Sequence, residues 1–388
     1  MMLVSSNHSF DDQGRQCYPL TDFPRAAEET KKNFMLMDLE KNIGQLFLLG
    51  FHGETVAENH PIVADIQERN LGGVILFERL LAKNLGCNNI IAASQVKHLT
   101  TLLHSLAGRQ LLIGVDQEGG RVCRFTAGRG FPVSAAAAEL GQRDDTVLTG
   151  IHSLAAADML QQLGVDLNLA PVVDLNCYRD NPIIGILGRS FSDDADKVIK
   201  HAEAWITAHR LRNILTCLKH FPGHGSSRHD SHRGFVDISE TWGAEELKPF
   251  AELIRRGLAD TIMTGHLFNS HLDAEHPATL SRHTITEVLR GQLQFEGVVL
   301  TDDLQMKAIT DRYGLEDAVC MAFAAGVDMV VIGNNLDYDP QVLQKAIRAV
   351  IRNVASGVLK EEILTAAYER VQRLKKKRSY SDLQSFFP

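Results

Sequence analysis

No stretch of the 388 residues approaches the roughly 18 consecutive apolar residues that a membrane-spanning helix needs, so a helical span is excluded. The N-terminus, MMLVSSNHSFDDQGRQ, lacks a basic region followed by an apolar run of signal-peptide length. Six cysteines, at positions 17, 87, 123, 177, 217 and 320, form no C-x-x-C pair. Their scatter argues against a zinc ribbon or a dithiol redox site and fits reduced thiols. Positive charge is not in excess either: 40 Lys and Arg stand against 48 Asp and Glu, a net charge of −8 that opposes nucleic-acid phosphate and anionic membrane faces. Low-complexity tracts and long linkers are missing as well. These absences leave a soluble, cytoplasmic protein as the expectation, with a neutral or small polar substrate and neither nucleic acid nor membrane as partner. Its 44% hydrophobic and 23% charged residues are those of an ordinary globule, and its length suits one α/β barrel.

What is present is one pattern, repeated. Short apolar, β-prone runs recur at 45–51, 72–77, 111–116, 166–174, 214–220, 260–266, 297–303 and 328–333. Helical stretches lie between them, and those at 153–164, 245–257 and 315–326 end in Gly, the cheapest residue for a left-handed helix end. Three of these lead on through similar turns, Gly164-Val165-Asp166, Gly257-Leu258-Ala259-Asp260 and Gly326-Val327-Asp328. Alternation of strand and helix implies parallel pairing, and continuous apolarity implies strands buried on both faces. Eight units predict a single-domain α/β fold, a (β/α)8 TIM-type barrel over 38–375, with an N-terminal extension over 1–37 and a C-terminal tail over 376–388. The lysines at that end, LKKKR, read as a solvated face. Asp116, Asp174, His220, His266 and Asp302 all fall at the carboxyl ends of predicted strands, where barrel enzymes build their sites.

Three segments carry candidate chemistry. The first, Lys219-His220-Phe221-Pro222-Gly223-His224-Gly225-Ser226-Ser227-Arg228-His229-Asp230-Ser231-His232, gathers four histidines after the fifth strand. It lacks the third glycine of a dinucleotide fingerprint and a Walker A lysine. A metal site using His220, His224, His229 and Asp230 stays open, as does an acid–base pair in which Asp230 holds one ring nitrogen of His232 and aims the other. The plain alternative is a local turn capped by Asp230 with His232 merely exposed. The second segment, Thr301-Asp302-Asp303-Leu304-Gln305-Met306, ends the seventh strand with two carboxylates. One of them suits a helix N-cap, and the other suits the nucleophile of a retaining glycosidase, about 5 Å from its acid partner. The third, from Asp116 to Phe125, sets Asp116 beside a glycine pair as a polar rim suited to hydroxyl groups; its alternative is a turn with Arg121 or Arg124 in an ion pair.

Taken together, D-Q-E-G-G-R-V-x-R-F (116–125), G-R-S-F (188–191), K-H-F-P-G-H-G (219–225), D-S-H (230–232), P-A-T-L-S (277–281) and T-D-D-L-x-M (301–306) resemble glycoside hydrolase family 3, in its single-domain β-N-acetylglucosaminidase branch. The resemblance covers about 38–370. It implies a (β/α)8 or related barrel, Asp302 as nucleophile, His232 as acid/base assisted by Asp230, and Asp116, Arg124, Arg189, Lys219 and His220 as sugar contacts. It further implies double displacement on terminal β-linked N-acetylglucosamine, from peptidoglycan fragments in cytoplasmic cell-wall recycling, with no metal or organic cofactor. Departures from the family pattern fall at Ser226 and Ser227, where an acidic residue and a threonine are usual, and at Gly234-Phe235, where Leu-Pro is commoner. Rival expectations are a metal-dependent hydrolase on the same barrel, a phosphorolytic variant of the glycosidase, and a catalytically silent sugar-binding protein.

Overall fold

The computed structural model describes residues 41–108 and 110–384, with side chains to Lys377, and before them a short antiparallel strand pair, Ser9–Phe10 with Gln16–Cys17. The chain divides into two units, Met1–Lys41 and Asn42–Pro388. Apart from that strand pair, the extension expected over 1–37 lies outside the described residues.

The second unit holds eight parallel strands: β1 Phe47–Gly50, β2 Gly73–Ile75, β3 Leu112–Val115, β4 Leu167–Asn168, β5 Leu215–Phe221, β6 Thr261–Thr264, β7 Val298–Thr301 and β8 Val330–Ile332. Each pairs with the next, β8 pairs back onto β1, and the bridge Leu300↔Met329 brings β7 to β8. The barrel thus has the eight strands that the apolar runs predicted, each at its expected place. Leu48, Val74, Ile113, Leu167, Leu218, Ile262 and Val299 are buried, as strands covered on both faces require.

The repeated Gly-to-Asp turns have a physical meaning. Gly164 and Gly326 end their helices at φ +75° and +107°. The aspartate that follows then reaches back to an earlier strand: Asp166 accepts from the Ile113 amide at 2.8 Å, and Asp328 from the Val299 amide at 2.7 Å. These carboxylates replace missing ladder partners at the amino ends of the strands.

The basic C-terminal end is only in part the solvated face that its composition predicts, since Lys376 and Lys377 are exposed but Lys375 is not. The last helix runs Glu361–Gln384, across the expected boundary at 375. Lys375 is buried and donates to Gln45 Oε1 and to the carbonyls of Gly72 and Gln110, while Lys377 pairs with Asp260 and Arg370 with Asp328. Carbonyls and carboxylates left at the amino ends of the strands are what these cations satisfy. A charge count along one helix does not show that demand.

Candidate active site

At the opposite, carboxyl end of the barrel a ladder of alternating charge crosses the floor of a cleft. Arg124 donates to Asp116 Oδ2 at 3.1 Å, and Lys219 Nζ lies 2.8 Å from Asp116 Oδ1 and 2.7 Å from Glu118 Oε1. Glu118 takes Arg189 in a fork of two 2.8 Å bonds. Arg189 also donates to His220 Nε2 at 3.1 Å, so Nε2 is the acceptor, and Nδ1–H donates to Asp174 Oδ2 at 2.7 Å. Burial would raise the carboxyls of Asp116 and Glu118, but Lys219 with Arg124 and Arg189 with Lys219 hold them below the ordinary carboxylate range. Every one of these charges is paired, as burial demands.

Asp302, directly after β7, differs. Among the described residues no Lys or Arg comes within ion-pair distance of it. Burial would raise its carboxyl, yet the facing imidazoles of His266, His220 and His232 and the Asp303 amide, which donates at 2.8 Å, keep it below the usual range. Its neighbour Asp303 is held by backbone: Oδ1 accepts from the amides of Gln305 at 3.0 Å and Gly333 at 2.9 Å, and burial pushes this carboxyl up to about 6. The helix N-cap expected of one member of the pair is not formed, because the helix Lys307–Thr310 starts after Met306 with no side-chain cap. His266 Nε2 donates to the Asp303 carbonyl at 2.9 Å, and its Nδ1 lies 2.8 Å from Thr279 Oγ1, in the P-A-T-L-S segment.

Across the cleft, Asp230 Oδ1 accepts from both the amide and Nδ1 of His232, each at 2.9 Å. The carboxylate therefore fixes backbone and ring together, and Nε2 stays free of this bond. The loop reaches this point through a tight turn. A Cβ on Gly225 would lie 1.6 Å from the Leu175 carbonyl oxygen, so only glycine fits. Glu246 closes the turn, its Oε2 accepting from the amides of Gly225 and Ser226, while Oε1 has no hydrogen-bond partner among the described residues.

Burial pushes the Glu246 carboxyl up from 4.5 to about 7 against those amides. The folded state therefore favours the protonated acid. Stability from this group is complete below about pH 4.5 and is lost as pH rises toward 7. In urea melts, Glu246→Gln removes a fall of up to about 3 kcal/mol between pH 5 and pH 8 that the unsubstituted protein shows.

Two adjoining cavities, of about 240 and 450 Å³, share Asp116, Arg124, His232, Met263 and Asp302 as walls. The eight residues singled out from the sequence, Asp116, Arg124, Arg189, Lys219, His220, Asp230, His232 and Asp302, all line the larger one. The metal-ligand alternative does not assemble. His220 and His224 turn Nδ1 to Asp174 and Ser227, His229 is exposed, and among the described residues no three His, Cys, Asp or Glu side chains converge as ligands.

Comparison with known proteins agrees with this geometry. Residues 38–374 match the pattern of the glycosyl hydrolase family 3 N terminal domain. The chain belongs to glycosyl hydrolase family 3. It is 36% identical over 312 residues to a beta-hexosaminidase of Xylella fastidiosa, covering 79% of this chain and 87% of that one. A beta-hexosaminidase of Tolumonas auensis is 38% identical over 282 residues, 70% of this chain and 80% of that one. Among solved structures, a glycoside hydrolase family 3 beta-N-acetylglucosaminidase from Paenibacillus superposes with TM-score 0.80 at 31% identity, over 88% of this chain and 62% of that one. A beta-N-acetylhexosaminidase from Beutenbergia cavernae gives 0.75 at 30%, over 87% and 98%.

Within this family 3 chain, Glu118 is the site residue that sequence reasoning passed over, although it stands inside the 116–125 motif. Asp174 and His266 were visible as strand-end residues without a stated task. The structure gives them one: Asp174 orients His220, and His266 borders the Asp302–Asp303 pair.

Proposed function

We propose that the protein is a retaining β-N-acetylhexosaminidase working by double displacement, with Asp302 as nucleophile and His232, held by Asp230, as acid and then base. One observation carries the reading: Asp302, which has no cationic partner among the described residues and is not tied up by backbone as Asp303 is, shares one cavity with a carboxylate-held imidazole. In the first step an Asp302 oxygen bonds to the anomeric carbon, the bond to the leaving oxygen breaks, and that oxygen takes the proton from His232 Nε2. In the second, water bonds to the same carbon, gives its proton to Nε2, and releases Asp302, restoring the β configuration. Arg124, Lys219, Arg189, Asp116 and His220 are the proposed sugar contacts, since a pre-paired polar floor matches hydroxyl groups without reorganising.

The relatives' names support an N-acetylhexosamine as the terminal sugar. Peptidoglycan fragments in the cytoplasm are the proposed source. Cys87, Cys123, Cys177, Cys217 and Cys320 are free, which accords with a reducing compartment, and among the described residues no helix is long and apolar enough to cross a membrane.

The purified protein releases nitrophenol from p-nitrophenyl β-N-acetylglucosaminide in preference to the β-glucoside, equally with and without a chelator. The product is the free sugar even in phosphate buffer. Loss of activity with chelator revives the metal-hydrolase reading, and a sugar 1-phosphate product identifies the phosphorolytic one.

A further inference from the structure

The loop that presents His232 has ring contacts at its ends, Arg228 with Tyr178 and Phe235 with Phe268 and Arg312, and one buried residue between them. Of residues 228–235, all of them described, Ser231 alone is buried, at 2% exposure, whereas the side chain of His232 is 52% exposed and that of Arg233 88%. Ser231 lies between the two members of the acid–base pair, and its own bonds run to two different parts of the barrel. Its carbonyl accepts from the Ala308 amide at 3.2 Å, in the short helix Lys307–Thr310 that follows Asp302 along the chain. Its Oγ lies 3.3 Å from His224 Nε2.

His224 is a fixed anchor. Its amide donates to Asp174 Oδ1 at 2.9 Å, the same carboxylate that orients His220. Its Nδ1 sits 2.5 Å from Ser227 Oγ, and that hydroxyl is held between the Asn181 amide nitrogen at 3.1 Å and the His224 carbonyl at 3.0 Å. Because the Ser227 proton goes to the carbonyl, Nδ1–H must be the donor to Ser227, which leaves Nε2 as an acceptor for the Ser231 hydroxyl. Burial and the nearby His220 lower the His224 pKa to about 3, so the ring remains a neutral acceptor at neutral pH. Ser227, where threonine is usual in the family, keeps the hydroxyl that this arrangement needs.

We propose that Ser231 is the positioning residue for His232, a pin that joins the acid–base loop to the His224 anchor on one side and to the segment carrying Asp302 on the other. The inference rests on the acid–base role proposed for His232. Without the pin, the Asp230–His232 pair keeps its internal bonds but the loop bearing it loses its only buried side-chain bond to the barrel. The aligned position is then occupied for a smaller fraction of the time, and proton donation suffers in proportion. Attack by Asp302 does not depend on the pin.

The test is the dependence of kcat/KM on the leaving group, across dinitrophenyl, p-nitrophenyl and phenyl β-N-acetylglucosaminides, because good leaving groups depart without a proton and poor ones do not. Ser231→Ala loses about tenfold or more on the phenyl glycoside and less than about threefold on the dinitrophenyl one, and Ser231→Thr, which keeps the hydroxyl, restores the original slope. A merely structural role lowers all three substrates equally. A uniform loss, or none, in Ser231→Ala while His232→Ala shows the steep slope overturns the pin and leaves the acid–base assignment standing. A flat slope in His232→Ala overturns the acid–base assignment and the pin with it.

Discussion

Replacing Asp302 with alanine lowers kcat/KM for p-nitrophenyl β-N-acetylglucosaminide by about 10⁴-fold or more, the scale seen when a covalent nucleophile is removed. The size follows from the charge ladder. Asp116, Glu118 and Asp174 are each committed to Lys219, Arg124, Arg189 or His220, so none is free to attack in its place. Asp303 is turned to two backbone amides. Azide supplied to the Asp302→Ala protein fills the space beneath the anomeric carbon and yields the α-glycosyl azide. The fold survives, because Asp302 makes no ion pair whose loss would strand a buried cation. Equal melting temperatures for variant and parent check this.

His232→Ala has the second largest effect, and its signature is selectivity. On substrates with poor leaving groups kcat/KM falls by about 10²- to 10⁴-fold, while on a dinitrophenyl glycoside the fall is slight. Hydrolysis of the glycosyl-enzyme slows as well, because water has lost its base, and azide, which needs none, accelerates turnover and yields the β-glycosyl azide. The opposite anomers from the two alanine variants separate nucleophile from acid. His232 is half exposed, so its removal leaves the barrel intact. Asp230→Ala reproduces part of the loss, because the ring and the backbone amide of His232 are both released.

The parts of the molecule that were legible in the sequence are those that local chemistry dictates. Strand positions followed from apolar runs, helix ends from Gly164 and Gly326, and the cleft from polar residues at strand ends, since side chains there must leave the packed interior. Asp302 and Asp303 were visible as one carboxylate taken up by backbone and one free, although the helix cap expected of the first is not formed. Which was which depended on the Gly333 amide, 30 residues away, reaching Asp303. Long-range pairing was not legible. Lys219 satisfies carboxylates 103 and 101 positions before it, and Lys375 fills a demand set by Gln45, Gly72 and Gln110. A lysine in a basic run carries no mark of the carbonyls it will meet. Ser231 was likewise silent as a letter between Asp230 and His232, because only burial and the bond to His224 distinguish it from a spacer.

The most direct test of the account is to trap the glycosyl-enzyme with a slowly hydrolysed 5-fluoro N-acetylglucosaminyl fluoride and to map the modified peptide by mass spectrometry. The account predicts one added sugar, on the peptide carrying Asp302, held through its side chain, with the product of normal turnover released first as the β anomer. An unmodified protein releasing the α anomer, or a sugar found on another carboxylate, contradicts it.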